Sequence, residues 1–103
     1  MATTTIAGKE INVNDEGYLT DPTQWTKEIA IEIANEEGIT LTDKHFELIE
    51  YLRTQHLNGV QLTIHKIGTS GIVDIKGFYE LFPGGPLKKG SRIAGIPKPV
   101  SCI

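Results

Sequence analysis

Helix starts and stops recur along this 103-residue chain, and the expected product is a set of separate helices rather than one continuous one. Asp21-Pro22-Thr23-Gln24 is one start: Asp21 is placed to cap, Pro22 suits the first helical position, and Gln24 stands where a capping box puts its reciprocal partner. Trp25, Ile29 and Ile33 follow at four-residue spacing. They predict one buried stripe on a helix that ends at Gly38, which is free to turn left-handed. Thr42 caps a second helix, with Leu41 placed to staple against Phe46, and with Phe46, Ile49 and Leu52 on its core face. Asn58-Gly59 stops it. A third helix is predicted over residues 74–82, capped by Asp74, interrupted by Gly77 and halted by Pro83. Pro86 then opens a short helix over residues 86–94.

Before these helices, residues 5–19 read as short strands, with Ile6, Ile11 and Val13 apolar and with Gly8-Lys9 and Asp15-Glu16-Gly17 as turns. Residues 60–73 keep no single period and hold one short helix or strand. At the other end, the alternating prolines of Ile96-Pro97-Lys98-Pro99 force extended geometry. Residues 96–103 are therefore expected to form a mobile arm with a reach of about 26–29 Å. The fold class is α+β: a small N-terminal β-hairpin or meander packed on an array of helices, ending in an extended, proline-containing C-terminal arm. At 11.3 kDa the chain suffices for a single domain over residues 1–103 and excludes a two-domain enzyme.

Charge is distributed unevenly. Residues 1–50 hold 11 acidic and 3 basic side chains, whereas residues 81–103 hold 4 basic and none acidic, within a net charge of −3. A broad basic face, which counterion displacement from DNA requires, is missing, and this argues against direct DNA binding. No run approaches the roughly 18 apolar residues that span a bilayer, and residues 1–9 lack the basic start and apolar stretch of a signal peptide. The lone cysteine, Cys102, has no internal partner, which favours a reducing compartment. These features predict a cytoplasmic protein with no membrane contact.

Conventional catalytic signatures are absent: no phosphate-cradling loop, no paired-cysteine ligands, no His-Glu-x-x-His. No cofactor or metal is expected. His45 and His56 lie on one predicted helix about 16 Å apart, too far to share an ion, and with His65 they are read as packing or partly exposed residues. Trp25, Phe46, Tyr51, Phe78, Tyr79 and Phe82 fall on apolar stripes and helix ends, which favours core packing over base stacking. Glu28, Glu32, Glu36 and Glu37 form a solvated helix face. Cys102 stands apart. A lone cysteine often behaves as a small buried hydrophobe, but burial is hard to arrange near the end of a proline-stiffened arm, where the thiol is available to accept sulfur or to exchange with a disulfide. Both readings stay open on position alone. The terminal carboxylate of Ile103 disfavours a thiolate there, while Arg92, Lys98, Lys88 and Lys89 favour one if the arm folds back.

The wording of the C-terminal end closely resembles one family. Tyr79-Glu80-Leu81-Phe82-Pro83, Gly85-Pro86, Lys88 and Ile93-Ala94-Gly95-Ile96-Pro97-Lys98-Pro99, ending in Cys102-Ile103, are similar to the DsrC/TusE family of sulfur-carrier proteins. Gly8-Lys9-Glu10, Glu16-Gly17-Tyr18-Leu19 and Trp25 resemble its N-terminal segment. The resemblance implies that Cys102 is the sulfur-carrying thiol, loaded as a persulfide by a sulfurtransferase donor, and that Arg92, Gly95, Pro97, Lys98 and Pro99 support its arm. It also implies a carrier acting with donor and acceptor proteins rather than a free-standing catalyst. In the family's dissimilatory branch, which works with sulfite reductase, a second cysteine lies eleven residues earlier; here that position is Ser91. The chain thus looks closer to the TusE branch, which relays sulfur toward thiolation of the tRNA wobble uridine, and any tRNA association is indirect, through the acceptor. The alternative is a DsrC-like partner of sulfite reductase or of a heterodisulfide-reductase-like sulfur-oxidation complex. Residues 60–73 are shorter than the family's corresponding region, which implies altered partners if that region shapes a partner surface.

Overall fold

A computed structural model describes residues 2–98; Pro99 and Cys102 lie outside the described residues. Strands β1 (Ala2–Ile6) and β2 (Lys9–Val13) form an antiparallel hairpin, in register from Ile6 opposite Lys9 to Ala2 opposite Val13. Its two-residue turn, Ala7-Gly8, has φ of 53° and 77°, the left-handed pair whose twist matches that of the strands. A single bridge from Val13 to Leu19 extends the hairpin toward a meander. Among the described residues five α-helices follow: α1 (Lys27–Glu36), α2 (Asp43–Leu57), α3 (Ile64–Gly68), α4 (Ile75–Leu81) and α5 (Pro86–Ile93). The α+β class is as expected.

Local caps explain most boundaries. The side chains of Thr42, Thr63 and Asp74 accept from the backbone N–H of His45, Lys66 and Gly77, opening α2, α3 and α4. In α2 the reciprocal partner is His45. Its Nδ1 accepts from the Thr42 N–H at 3.1 Å, and its Nε2 lies 2.8 Å from the Leu81 carbonyl, so the ring ties two helices as well as closing a cap. Gly38 and Gly59, each with φ of 73°, stand where α1 and α2 stop. The unassigned stretch 60–73 supplies α3 and buries Leu62 and Ile67.

The first helix departs from expectation. Asp21 caps only one 3₁₀ turn, Pro22–Gln24, after which Trp25 is extended (ψ 140°) and Thr26 caps α1 by accepting from the Ile29 N–H. Distant partners make the break: Gln24 Oε1 accepts from the Asn12 N–H at 2.9 Å instead of closing a capping box, and Trp25 Nε1–H donates to the Ile93 carbonyl at 2.8 Å. Trp25 therefore does not share a stripe with Ile29 and Ile33. The buried stripe of α1 is Ile29, Ala30, Ile33 and Ala34.

The arm expected over residues 96–103 also begins later than the prolines suggest. Ile96 is buried, 2% exposed, and belongs to the core with Ile93 and Ala94, so the chain leaves the core only at Pro97. That core is assembled around α5, which packs on α1, α2 and α4 and buries Leu87 and Ile93. Phe78 and Phe82 meet edge-to-face at 5.9 Å and are fully buried; Trp25, Phe46 and Tyr51 are half-buried against the same core. Tyr79, 43% exposed, is the aromatic that does not pack as expected. No helix among the described residues is long and apolar enough to cross a membrane.

Candidate functional site

The described residues contain no group of three or more His, Cys, Asp or Glu side chains that could hold a metal. His45 is buried in its cap, His56 is half-buried and His65 is exposed, each apart from the others. Cys102 and Pro99 fall outside the described residues, so the structure defines the platform from which their segment departs.

That platform is the end of α5. The Gly95 N–H donates to the Arg92 carbonyl and the Ile96 N–H to the Ser91 carbonyl, both at 3.2 Å, with Gly95 at φ 70°. This is the paired bonding of a Schellman cap, in which the left-handed residue turns the chain and the next apolar residue, Ile96, tucks back into the core. Glycine is required here for a second reason: a Cβ on Gly95 would run into the Trp25 ring.

Two side chains then satisfy carbonyls left over at the helix end. Trp25 takes that of Ile93, and Arg53 Nη1–H donates to that of Ala94 at 2.8 Å while its Nη2–H donates to the Pro22 carbonyl at 3.1 Å. The Arg53 guanidinium lies 4.3 Å from the centre of the Trp25 ring, and its positive charge suits a helix C-terminus. Burial holds its pKa below the ordinary arginine value. Nothing in the local sequence marks Arg53 for this role. No local spacing links it to residue 94; the only sequence trace of the arrangement is a single tryptophan and a glycine within the C-terminal motif.

The basic residues proposed to favour a thiolate are partly committed elsewhere. Arg92 donates to Glu36 at 3.1 Å, to Glu37 at 3.3 Å and to the Gly17 carbonyl at 3.3 Å, and Lys98 pairs with Glu16 at 2.8 Å. Arg92, Lys88 and Lys89 do meet, around a cleft of about 260 Å³, but Glu16 and Glu37 line the same cleft. So Glu36 and Glu37 are ion-pair partners, and only Glu28 and Glu32 remain a purely solvated face among the four. Pro97 is exposed and, with Ile96 and Lys98, lines a further cleft next to His56. Ser91 points inward from α5, fully buried, and its Oγ has no hydrogen-bond partner among the described residues.

Comparison with known proteins places these features in company. A family model described as "DsrC like protein" matches residues 5–103. Curated relatives named Sulfurtransferase TusE are 39% identical in Salmonella typhimurium and 38% in Escherichia coli, in each case over 93% of this chain and 95% of the relative. Among solved structures, the oxidized gamma-subunit of the dissimilatory sulfite reductase (DsrC) from Archaeoglobus fulgidus is 31% identical with a TM-score of 0.78, covering 99% of this chain and 100% of that one. Allochromatium vinosum DsrC is 30% identical with a TM-score of 0.81, covering 98% and 97%.

Proposed function

The chain belongs to the DsrC-like family and is a sulfur-relay protein, and from that premise we propose that Cys102 accepts sulfane sulfur as a persulfide and hands it to an acceptor protein, in a TusE-like relay toward 2-thiolation of the tRNA wobble uridine. The observation that carries the proposal is the anchored root. The only thiol in the sequence sits seven residues beyond Gly95, on a segment whose start is held by the Schellman cap, Trp25 and Arg53. A fixed root with a short reach presents a reactive group to a partner without spreading it through a large volume.

The chemistry balances without an added oxidant. The Cys102 thiolate attacks the outer sulfur of a donor persulfide; a new S–S bond forms, the donor's S–S bond breaks, and the donor leaves as a thiolate. An acceptor thiolate then repeats the exchange on Cys102 persulfide and regenerates the thiol. Donor and acceptor are separate proteins, and the relay operates in the cytoplasm. Nothing in this cycle needs a second cysteine in the carrier.

Ser91 supports the relay over the alternative of a DsrC-like partner for sulfite reductase or for a sulfur-oxidation complex, because a hydroxyl cannot resolve a persulfide into an internal disulfide. The likeness to the solved DsrC chains favours that alternative only at the level of fold and family. Intact-mass measurement after incubation with a small-molecule persulfide tests the carrier role. The parent gains sulfur and Cys102→Ser does not; equal loading of both would refute it.

A further inference from the structure

A larger cleft lies on the outer side of α2. It holds about 630 Å³, within the about 300–1,000 Å³ range of ligand-holding clefts, and Trp25, Phe46 and Ile49 give it an apolar floor. At its edge Leu57 is 78% exposed, the most exposed large hydrophobic side chain among the described residues. Three carboxylates, Asp43, Glu47 and Glu50, also line it. The two cations of the groove are turned onto its rings: Lys27 Nζ lies 5.7 Å from the Phe46 centroid, and Arg53 stacks on Trp25 with its donors on backbone carbonyls. Of the carboxylates only Glu47 forms an ion pair among the described residues, with Lys44 at 3.7 Å, and both are half exposed, so that pairing is weak. The groove thus offers an apolar surface whose outward charge is negative.

We propose that this groove docks a basic segment of a partner protein, with an apolar side chain covering Leu57 and Phe46 and with lysines or arginines facing Asp43, Glu47 and Glu50. Covering an exposed leucine side chain favours association, and an amphipathic helix laid in a groove is a common way to bring such anchors together. The place of the groove gives docking a purpose. Trp25 and Arg53 line it and also hold the carbonyls of Ile93 and Ala94, so a partner seated there arrives beside the root of the segment that bears Cys102. That the partner gives or takes sulfur rests on the relay reading; the docking itself does not.

Trp25 is the chain's only tryptophan, so the fluorescence of the full chain reports occupancy directly. The probe is a Trp-free helical peptide of about 16 residues, with leucine and phenylalanine along one face and lysines on its flanks, set against the same peptide carrying glutamate for lysine. The lysine peptide is expected to give a saturable change, to bind about tenfold more tightly than the glutamate peptide, and to weaken several-fold between about 50 and 200 mM salt. Leu57→Ser and Glu50→Lys each weaken it about tenfold, whereas Glu80→Lys, the same charge change on α4, leaves binding intact. Circular dichroism of each variant confirms that the fold is kept. Cys102→Ser binds the peptide as the parent does while accepting no sulfur, so docking and relay fail separately. Absence of saturation, equal binding of the two peptides, or unchanged binding by Leu57→Ser overturns the proposal. Self-association of the peptide-free chain that Leu57→Ser abolishes overturns it too, in favour of a second copy as occupant.

Discussion

Replacing Gly95 by alanine tests the anchored root most directly. At φ 70° an alanine carries the left-handed penalty of about 1–2 kcal/mol, and its Cβ would meet Trp25 at the ring atoms Cδ1 and Cγ and at the side chain's own Cβ. Relief requires the indole to move, which breaks its 2.8 Å bond to the Ile93 carbonyl, worth about 1 kcal/mol, and separates it from Arg53, worth about 0.5–2 kcal/mol. The expected loss is about 2.5–5 kcal/mol, a large part of the about 5–15 kcal/mol of a typical domain. Urea unfolding followed by circular dichroism measures it, provided the slope with denaturant is unchanged. A double-mutant cycle isolates the clash. In a Trp25→Gly background both the ring and its Cβ are gone, so Gly95→Ala should cost only its backbone strain of about 1–2 kcal/mol, leaving a coupling of about 1.5–3 kcal/mol. Equal costs in the two backgrounds, or a loss below about 1 kcal/mol in the parent, would show that Trp25 does not pack on Gly95 and would remove the basis for the fixed root.

Ser91→Ala should stabilise the fold by about 1–2 kcal/mol in the same assay, because a buried, unpartnered hydroxyl is removed and alanine is the better helix former; destabilisation would mean that Oγ has a partner. Ser91→Cys should lose two hydrogens on mild oxidation by intact mass, while the parent gives only intermolecular products; failure would show that Cys102 does not fold back onto the buried side chain at position 91. Asp21 is held below its ordinary carboxyl pKa of 3.8, first by the Thr23 hydroxyl and then by the Thr23 N–H. Its contribution is therefore present above pH 3.8 and is lost as pH falls through the lowered value, so Asp21→Ala should show a shallower acid limb of stability than the parent; identical acid limbs would refute the cap.

Much of the fold is written locally. Thr42, Asp74, Pro86, Gly38 and the Asn58-Gly59 pair act within three or four residues of the backbone groups they satisfy, so their roles are visible as short patterns, and the elements they bound lie where those patterns put them. The hairpin is legible for the same reason. His45 shows where local reading runs short: a histidine in a capping box is not the expected glutamate or glutamine, and its other nitrogen is tied to Leu81, 36 residues away.

By itself, the sequence determined the caps, the single thiol, the substitution of Ser91 for a second cysteine, and a C-terminal motif specific enough to indicate the family. Only the tertiary structure decided where the first helix begins, which aromatic ring supports the C-terminal segment, and how far along the chain the core extends. Trp25 meets the Ile93 carbonyl across 68 residues, Arg53 meets that of Ala94 across 41, and Arg92 reaches Glu36 across 56. Propensity and periodicity describe a residue's neighbours in the chain, whereas these bonds exist only after α1, α2 and α5 have packed. Once packing brings a buried carbonyl beside an indole N–H, satisfying that carbonyl outweighs one more turn of helix at Trp25, and the chain breaks there to make the bond.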